Sequence, residues 1–277
     1  MPDYLKEIYD QYPPNDEHLL ISTFWPEYAG FFVEEYKQFN QGTLDVQKRS
    51  ELKKEETYHT YVINESKKYF DGKALEFFLA RYFWYKCVEY GSLEKELIVL
   101  FKQFDLDYPK SQHSERLRPH IDKIIDYHQA IANPFDPGVL FMDHYETINT
   151  LEEAIKPFYG KKIYIDIWAS WCGPCKQEFT HNEALKKIVA KEEIQLLYIS
   201  VDRDYNDQQW KDMIKYYHLT GMHIRANMNL DMDLRKLYHG NPASTISIPQ
   251  YILVDEKGNM DKYAPRPSQL TQGDHIL

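Results

Sequence analysis

The chain has 277 residues, 43% of them hydrophobic and 27% charged, with a formal net charge of −10. That length accommodates about two domains with ample core, and no apolar run reaches the ~18 residues of a membrane-spanning helix. The acidic balance argues against nucleic acid as a partner, and three cysteines are too few for a disulfide scaffold. The first residues, Met1-Pro2-Asp3-Tyr4-Leu5-Lys6, lack the apolar stretch of a signal peptide. This leaves two expectations open, a cytosolic protein or an exported one without its signal.

Residues 1–135 carry almost no strand signal and are predicted to form an α-helical domain of roughly four to six helices. Apolar residues recur at helical spacing across Phe24–Phe39 and Val46–Phe70. Gly72 interrupts the pattern. A strongly apolar helix follows, Ala74–Tyr90, whose aromatic residues cover nearly every face, as in the central helix of a bundle. Gly91-Ser92 ends it, with Ser92 expected to cap a helix over Leu93–Phe104 that has Glu94 and Glu96 in its first turn. After a loop at Asp105–Ser111, a last helix runs over about Ser114–Ile131. Cys87 lies among Phe83, Trp84, Tyr85 and Val88, the setting of a buried, inert thiol.

Asn133-Pro134-Phe135-Asp136-Pro137-Gly138 breaks any helix and is the predicted boundary of a second domain, 136–277. A short strand at Val139–Met142 and a turn at Glu146–Asn149 precede a helix over Leu151–Phe158, which Thr150 can cap. Ile163–Trp168 is short, apolar and rich in β-branched and aromatic residues, apart from Asp166, and reads as a buried strand. A helical pattern then covers Cys175–Lys191. Further strands are expected at Ile194–Val201, His223–Ala226 and Pro249–Val254, with helices at Asp207–Tyr217 and Met232–His239 and a closing hairpin to Met260–Tyr263. The βαβ order predicts an α/β domain, a central mixed sheet flanked by helices.

The chemistry sits where the Ile163–Trp168 strand hands over to a helix, in Trp171-Cys172-Gly173-Pro174-Cys175. Unpaired N–H groups and the positive end of the helix dipole favour a thiolate at a first helical turn, and the thiolate is the nucleophile. Two cysteines separated by two residues can close a disulfide, so the pair can cycle between dithiol and disulfide through a mixed disulfide. A zinc site would need a second pair of ligands, and the one remaining cysteine, Cys87, lies far upstream in helical sequence. No metal is therefore expected.

Trp171-Cys172-Gly173-Pro174-Cys175 after a strand resembles the redox motif of the thioredoxin superfamily, and Asp166, Trp168 and Ser247-Ile248-Pro249-Gln250 fall where that family carries a buried acid, a tryptophan and a cis-proline loop. The long stretch between Cys175 and Pro249, and Glu178-Phe179 after the motif, are similar to the TlpA/ResA-like thiol–disulfide oxidoreductases and the related AhpC/TSA group. The resemblance implies a thioredoxin-like fold in which Cys172 attacks a substrate disulfide, Cys175 resolves it, and Asp166 accepts the proton of Cys175. Trp171, Gly173, Pro174, Ile248 and a cis Pro249 would then contact the substrate. No cofactor is implied beyond the Cys172–Cys175 disulfide. The implied partners are disulfide-containing proteins and an upstream thiol electron donor, in the periplasm or envelope of a Gram-negative bacterium. Two features depart from the family. Thr180 replaces a proline that kinks the motif helix, so a straighter helix is expected, and the short Ser268–Leu277 tail implies a stunted final helix. Two rival classes remain: a binding or scaffold protein that recruits partners through its helical domain, and an AhpC/TSA-type peroxidase. Ala169-Ser170-Trp171-Cys172 lacks the Thr-x-x-Cys setting of such peroxidases.

Overall fold

The computed structural model of the protein describes residues 4–34 and 44–270. The chain divides into two units, Met1–Gln129 and Ala130–Leu277. The division falls in the last turn of a helix, a few residues ahead of the proline-rich stretch Asn133–Gly138.

The first unit is helical: α1 (Tyr4–Gln11), α2 (Trp25–Gly30), α3 (Val46–Lys54), α4 (Tyr58–Ser66), α5 (Gly72–Trp84), α6 (Glu96–Asp107) and α7 (Gln112–Ala132). Its core gathers Trp25, Phe70, Phe78, Phe83, Phe101 and Phe104 with aliphatic residues from several helices. Of the expected Phe24–Phe39 helix, α2 is described and residues 35–39 lie outside the described residues.

The expected Val46–Phe70 helix is two helices. Glu56 turns left-handed at φ 54°. Thr57 N–H then bonds Leu52 O at 2.9 Å, and Glu56 N–H bonds Lys53 O at 3.3 Å. That pair of bonds satisfies the last carbonyls of α3 and stops it. The expected Ser92 cap is also corrected, because α6 begins only at Glu96. The side chains assigned to its first turn serve elsewhere. Glu96 accepts from the backbone N–H groups of His59 (3.0 Å) and Thr60 (2.5 Å) and so caps α4, whose own Thr57 makes no capping bond. Glu94 accepts from Ser92 Oγ at 2.7 Å and pairs with His59.

Nor is α5 buried all round. It passes into a π-helical turn, Tyr85–Glu89, that brings Trp84 and Tyr85 to 38% and 44% exposure. Cys87 sits in that turn, half-buried rather than buried, with burial pushing its thiol up to about 12.

The second unit contains β1 (Val139–Phe141), α8 (Leu151–Ile155), β2 (Ile163–Trp168), α9 (Gly173–Glu178), α10 (Asn182–Lys191), β3 (Gln195–Ser200), α11 (Asp207–Tyr216), β4 (Gly221–Arg225), α12 (Met228–His239), β5 (Gln250–Val254) and β6 (Met260–Asp261). One six-stranded sheet runs in the order β1-β4-β3-β2-β5-β6. β1, β4, β3 and β2 are parallel neighbours, whereas β5 lies antiparallel on β2 and β6 antiparallel on β5. Every residue of β2 is buried, as its position between β3 and β5 requires. Alternation sends Ile163, Ile165 and Ile167 into the core shared with α8 and α12, and Tyr164, Asp166 and Trp168 to the other face. Thr150 caps α8 as expected, its Oγ1 accepting from Glu153 N at 3.2 Å. α12 starts earlier than predicted because Asn227 caps it, and Gly240 closes it at φ 68°. At the C-terminus a short 3₁₀ turn, Pro267–Gln269, is present, and the expected stunted helix around Gly273 lies outside the described residues.

Candidate active site at the strand-to-helix turn

Cys172 and Cys175 are joined as a disulfide with 5.3 Å between their Cα atoms. Cys172 occupies the N-cap position of α9, with extended backbone and Pro174 in the first turn, and its Sγ accepts from Cys175 N at 3.1 Å. The sulfur thus takes one of the unpaired N–H groups of a helix start, which is the contact a thiolate there would use. Both cysteines are buried, Cys172 at 3% and Cys175 at 0% exposure, whereas neighbouring Trp171 is 57% exposed and Gly173 and Pro174 are exposed too.

Opposite the disulfide, the Ile248–Pro249 peptide is cis, and Ile248 O lies 3.7 Å from Cys172 Sγ. A half-buried Ile248 with its carbonyl beside the sulfur forms an edge at which an extended chain can pair.

A buried aspartate holds the turn before the motif. Asp202 follows β3, is fully buried, and accepts from Ser170 N, Ser170 Oγ and Ser200 Oγ, each at 2.7 Å. Charge-assisted bonds of this kind fix the loop that presents Cys172. Asp202 lies just past the strand expected at Ile194–Val201. Its position at the carboxyl end of a parallel strand beside the motif was the available signal.

Asp166 is 1% exposed, and neither carboxylate oxygen has a hydrogen-bond partner among the described residues. Burial, with the nearby Glu178 carboxylate adding to it, raises its pKa well above the usual carboxylate value. Its cross-strand neighbours are Tyr198 on β3 and Tyr251 on β5, whose hydroxyls are likewise buried without partners. Burial raises both phenols, and the Asp166 charge adds to that. The two tyrosines follow from strand register and were invisible before the pairing was known. Glu178 on α9 accepts from Ser268 N at 2.9 Å and Ser268 Oγ at 3.0 Å, which ties the motif helix to the Pro267–Gln269 turn. Trp168 packs edge-on against Phe179 in the turn after α9, with centroids 5.1 Å apart, so the Asp166 face of β2 is the one turned to the end of the motif helix.

The straighter motif helix expected from Thr180 is not found. α9 ends at Glu178, a 3₁₀ turn covers Phe179–His181, and α10 starts at Asn182. Thr180 Oγ1 donates to Gln177 O at 2.7 Å. A hydroxyl bonded back into the preceding turn bends a helix, so Thr180 accompanies the break without a proline.

His218 and His223 stand at a spacing that sequence reasoning passed over as a ligand pair. His218 Nδ1 bonds Asp136 at 2.7 Å, and His223 Nε2–H donates to Leu219 O at 2.7 Å inside the core. Among the described residues, no group of three or more His, Cys, Asp or Glu side chains could hold a metal.

Residues 147–272 match the Redoxin family. The chain is 29% identical over 130 residues to the sporulation thiol-disulfide oxidoreductase A of Bacillus subtilis, covering 47% of this chain and 72% of that protein. It is 24% identical over 106 residues to the thiol-disulfide oxidoreductase ResA of Bacillus thuringiensis, covering 38% of this chain and only 56% of that protein. The crystal structure of StoA from Bacillus subtilis aligns at 28% identity and a TM-score of 0.30, over 40% of this chain and 80% of that one. Residues 147–272 therefore form a Redoxin domain with a thioredoxin-like fold, in which a cis-proline faces a Cys-Gly-Pro-Cys turn on a mixed sheet.

Proposed function

We propose that the protein reduces disulfides in partner proteins. The observation that carries this reading is the Cys172–Cys175 pair at the start of α9, with a backbone N–H on one side of Cys172 Sγ and the Ile248 carbonyl on the other. In the reduced enzyme, the Cys172 thiolate attacks one sulfur of the substrate disulfide, forms a mixed disulfide and expels a substrate thiolate. Cys175 passes its proton to Asp166 and attacks Cys172 Sγ. That step closes the Cys172–Cys175 bond and releases the second substrate thiolate. A thiol protein upstream then returns two electrons to the pair.

Asp166 suits the base role because a carboxyl that burial pushes upward approaches thiol pKa values. Substrate lies as an extended strand beside Ile248 and Pro249, against the exposed Trp171, Gly173 and Pro174. Reduction is favoured over oxidation by the Gly-Pro pair between the cysteines and the acid on the face of β2 turned to the end of the motif helix. The likeness to ResA-type proteins of Bacillus supports an extracytoplasmic setting, and the periplasm or envelope of a Gram-negative bacterium is the narrower proposal. The active pair itself is the only redox group required.

Turnover of insulin disulfides with dithiothreitol as donor tests the activity, and single cysteine variants test the roles. Cys172→Ser is expected to abolish attack, whereas Cys175→Ser is expected to accumulate a mixed disulfide visible by mass spectrometry. Trapping by Cys172→Ser alone would reverse the two assignments. No insulin reduction by the wild type would remove the reductase reading.

A further inference from the structure

The helical unit carries a half-open cavity of about 620 Å³ that the redox chemistry does not use. That size suits a small organic ligand. Aromatic side chains from three segments wall it, among them Tyr58, Phe78, Tyr82, Tyr85 and Tyr90. Part of the wall is the π-helical turn Tyr85–Glu89, a distortion that costs a regular helix its bonding pattern and that recurs at binding sites.

The polar groups of the wall are unequally satisfied. Its acids are already engaged. Arg81 donates to Glu27 and Glu89, Tyr58 OH donates to Glu34 at 3.3 Å, and Glu94 is held by His59 and Ser92. Two lysines donate no hydrogen bond among the described residues. Lys86 is only 12% exposed, and its nearest carboxylate oxygen, Glu34 Oε2, is 3.8 Å away, beyond hydrogen-bond reach. Its Nζ instead sits among ring faces, 5.0 Å from the centroid of Tyr82, 5.1 Å from Tyr85 and 5.7 Å from Tyr58. Lys53 Nζ lies 5.5 Å from the same Tyr58 ring. Cation–π contacts offset part of the desolvation of an ammonium but occupy none of its N–H donors. Burial accordingly lowers the Lys86 pKa, with Glu34 offsetting it only in part. Lys86 thus has Glu34 as an ion-pair partner at 3.8 Å, while none of its N–H donors is hydrogen-bonded among the described residues.

We propose that this cavity binds a small organic carboxylate with a flat apolar body, the carboxylate accepting from Lys86 and the body packing against the tyrosines. Lys53 contributes a second positive charge at the same ring. A charge-assisted bond to a poorly solvated ammonium contributes about 1.5–3 kcal/mol, which is about ten- to a hundredfold in affinity.

Three probes on the full wild-type chain separate charge from shape: phenylacetate, its neutral isostere phenylacetamide, and acetate. Calorimetric titration is expected to show saturable phenylacetate binding, with the amide and acetate at least about tenfold weaker. Lys86→Met keeps the stem and removes the charge, so it is expected to bind phenylacetate no better than the amide. Equal binding of acid and amide by the wild type overturns the proposal. So does an absence of phenylacetate binding at millimolar concentration, or wild-type affinity in Lys86→Met. If Lys86→Met fails to fold, the acid–amide comparison on the wild type decides alone.

Discussion

His59 in the helical unit and Asp166 in the redox unit are both nearly inaccessible, at 3% and 1% exposure. Yet every nitrogen of His59 has a partner, and the Asp166 carboxylate has none among the described residues. Nδ1 of His59 meets Tyr82 OH at 2.7 Å, Nε2 meets Glu94, and its backbone N–H meets Glu96. Through the Nε2 bond, above all, the Glu94 carboxyl is held down at about 2. A buried polar group with full partners specifies how helices dock. One without partners carries a desolvation cost and shifts its ionisation, which is the state a reactive site uses.

The largest expected effect breaks the satisfied side of this contrast. His59→Leu leaves Tyr82 OH and Glu94 without their partner. A loss of about 2–3 kcal/mol in urea unfolding is expected, discounted because Glu94 is half-exposed. A loss below about 0.5 kcal/mol would show the network to be dispensable.

His223 lies between the two cases, fully buried with one nitrogen bonded to Leu219 O and the other without a partner. Burial lowers its pKa to about 4. Protonation therefore favours the unfolded chain, so this contribution is complete above the unfolded value of about 6.5 and is lost as pH falls towards 4. Between pH 7.5 and 5 the loss is expected to be about 2 kcal/mol. His223→Phe, which keeps a ring against Tyr198, should lack that component of the acid sensitivity. An unchanged pH profile would assign the loss to other groups.

Asp166→Asn sharpens the unsatisfied side. With its folded pKa raised, Asp166 supports folding fully at low pH and loses that support as pH rises above the unfolded carboxyl value. The Asn variant is therefore expected to gain about 1–2 kcal/mol at pH 7 and little at pH 3. Resolution of the mixed disulfide should slow in the same variant. Faster unfolding together with unaltered stopped-flow kinetics would make Asp166 a structural residue only. The smallest expected effect belongs to Thr180→Ala, which removes the hydroxyl bond to Gln177 O and should cost about 0.5–1 kcal/mol. No loss would leave the α9–α10 break to packing alone.

The contrast also explains what could be read from the sequence. β2 was legible to the residue, because an apolar β-branched run bounded by turn residues is a local signal. The Thr150 cap was legible for the same reason. Features made by distant partners were not. Glu96 caps a helix 37 residues upstream of itself, and Asp202 reaches back 32 residues to Ser170. Tyr198 and Tyr251 flank Asp166 only because β3 and β5 pair with β2 in one register. At Thr180, proline propensity was read correctly, but a hydroxyl reached the same local outcome by another bond.

The antiparallel placement of β5 against β2 also has a consequence in time. During synthesis, Trp168 precedes Gln250, the first residue of β5, by 82 positions (250 − 168). At roughly 5–20 residues per second, the strand carrying Asp166 waits about 4–16 s for its second neighbour. Through that interval one edge of an apolar strand is open, a few residues from two thiols that can close locally on each other. Given a disulfide to accept the two electrons by exchange, oxidation can precede completion of the sheet, and an early Cys172–Cys175 bond would shield both sulfurs from stray partners while the rest of the chain is still arriving.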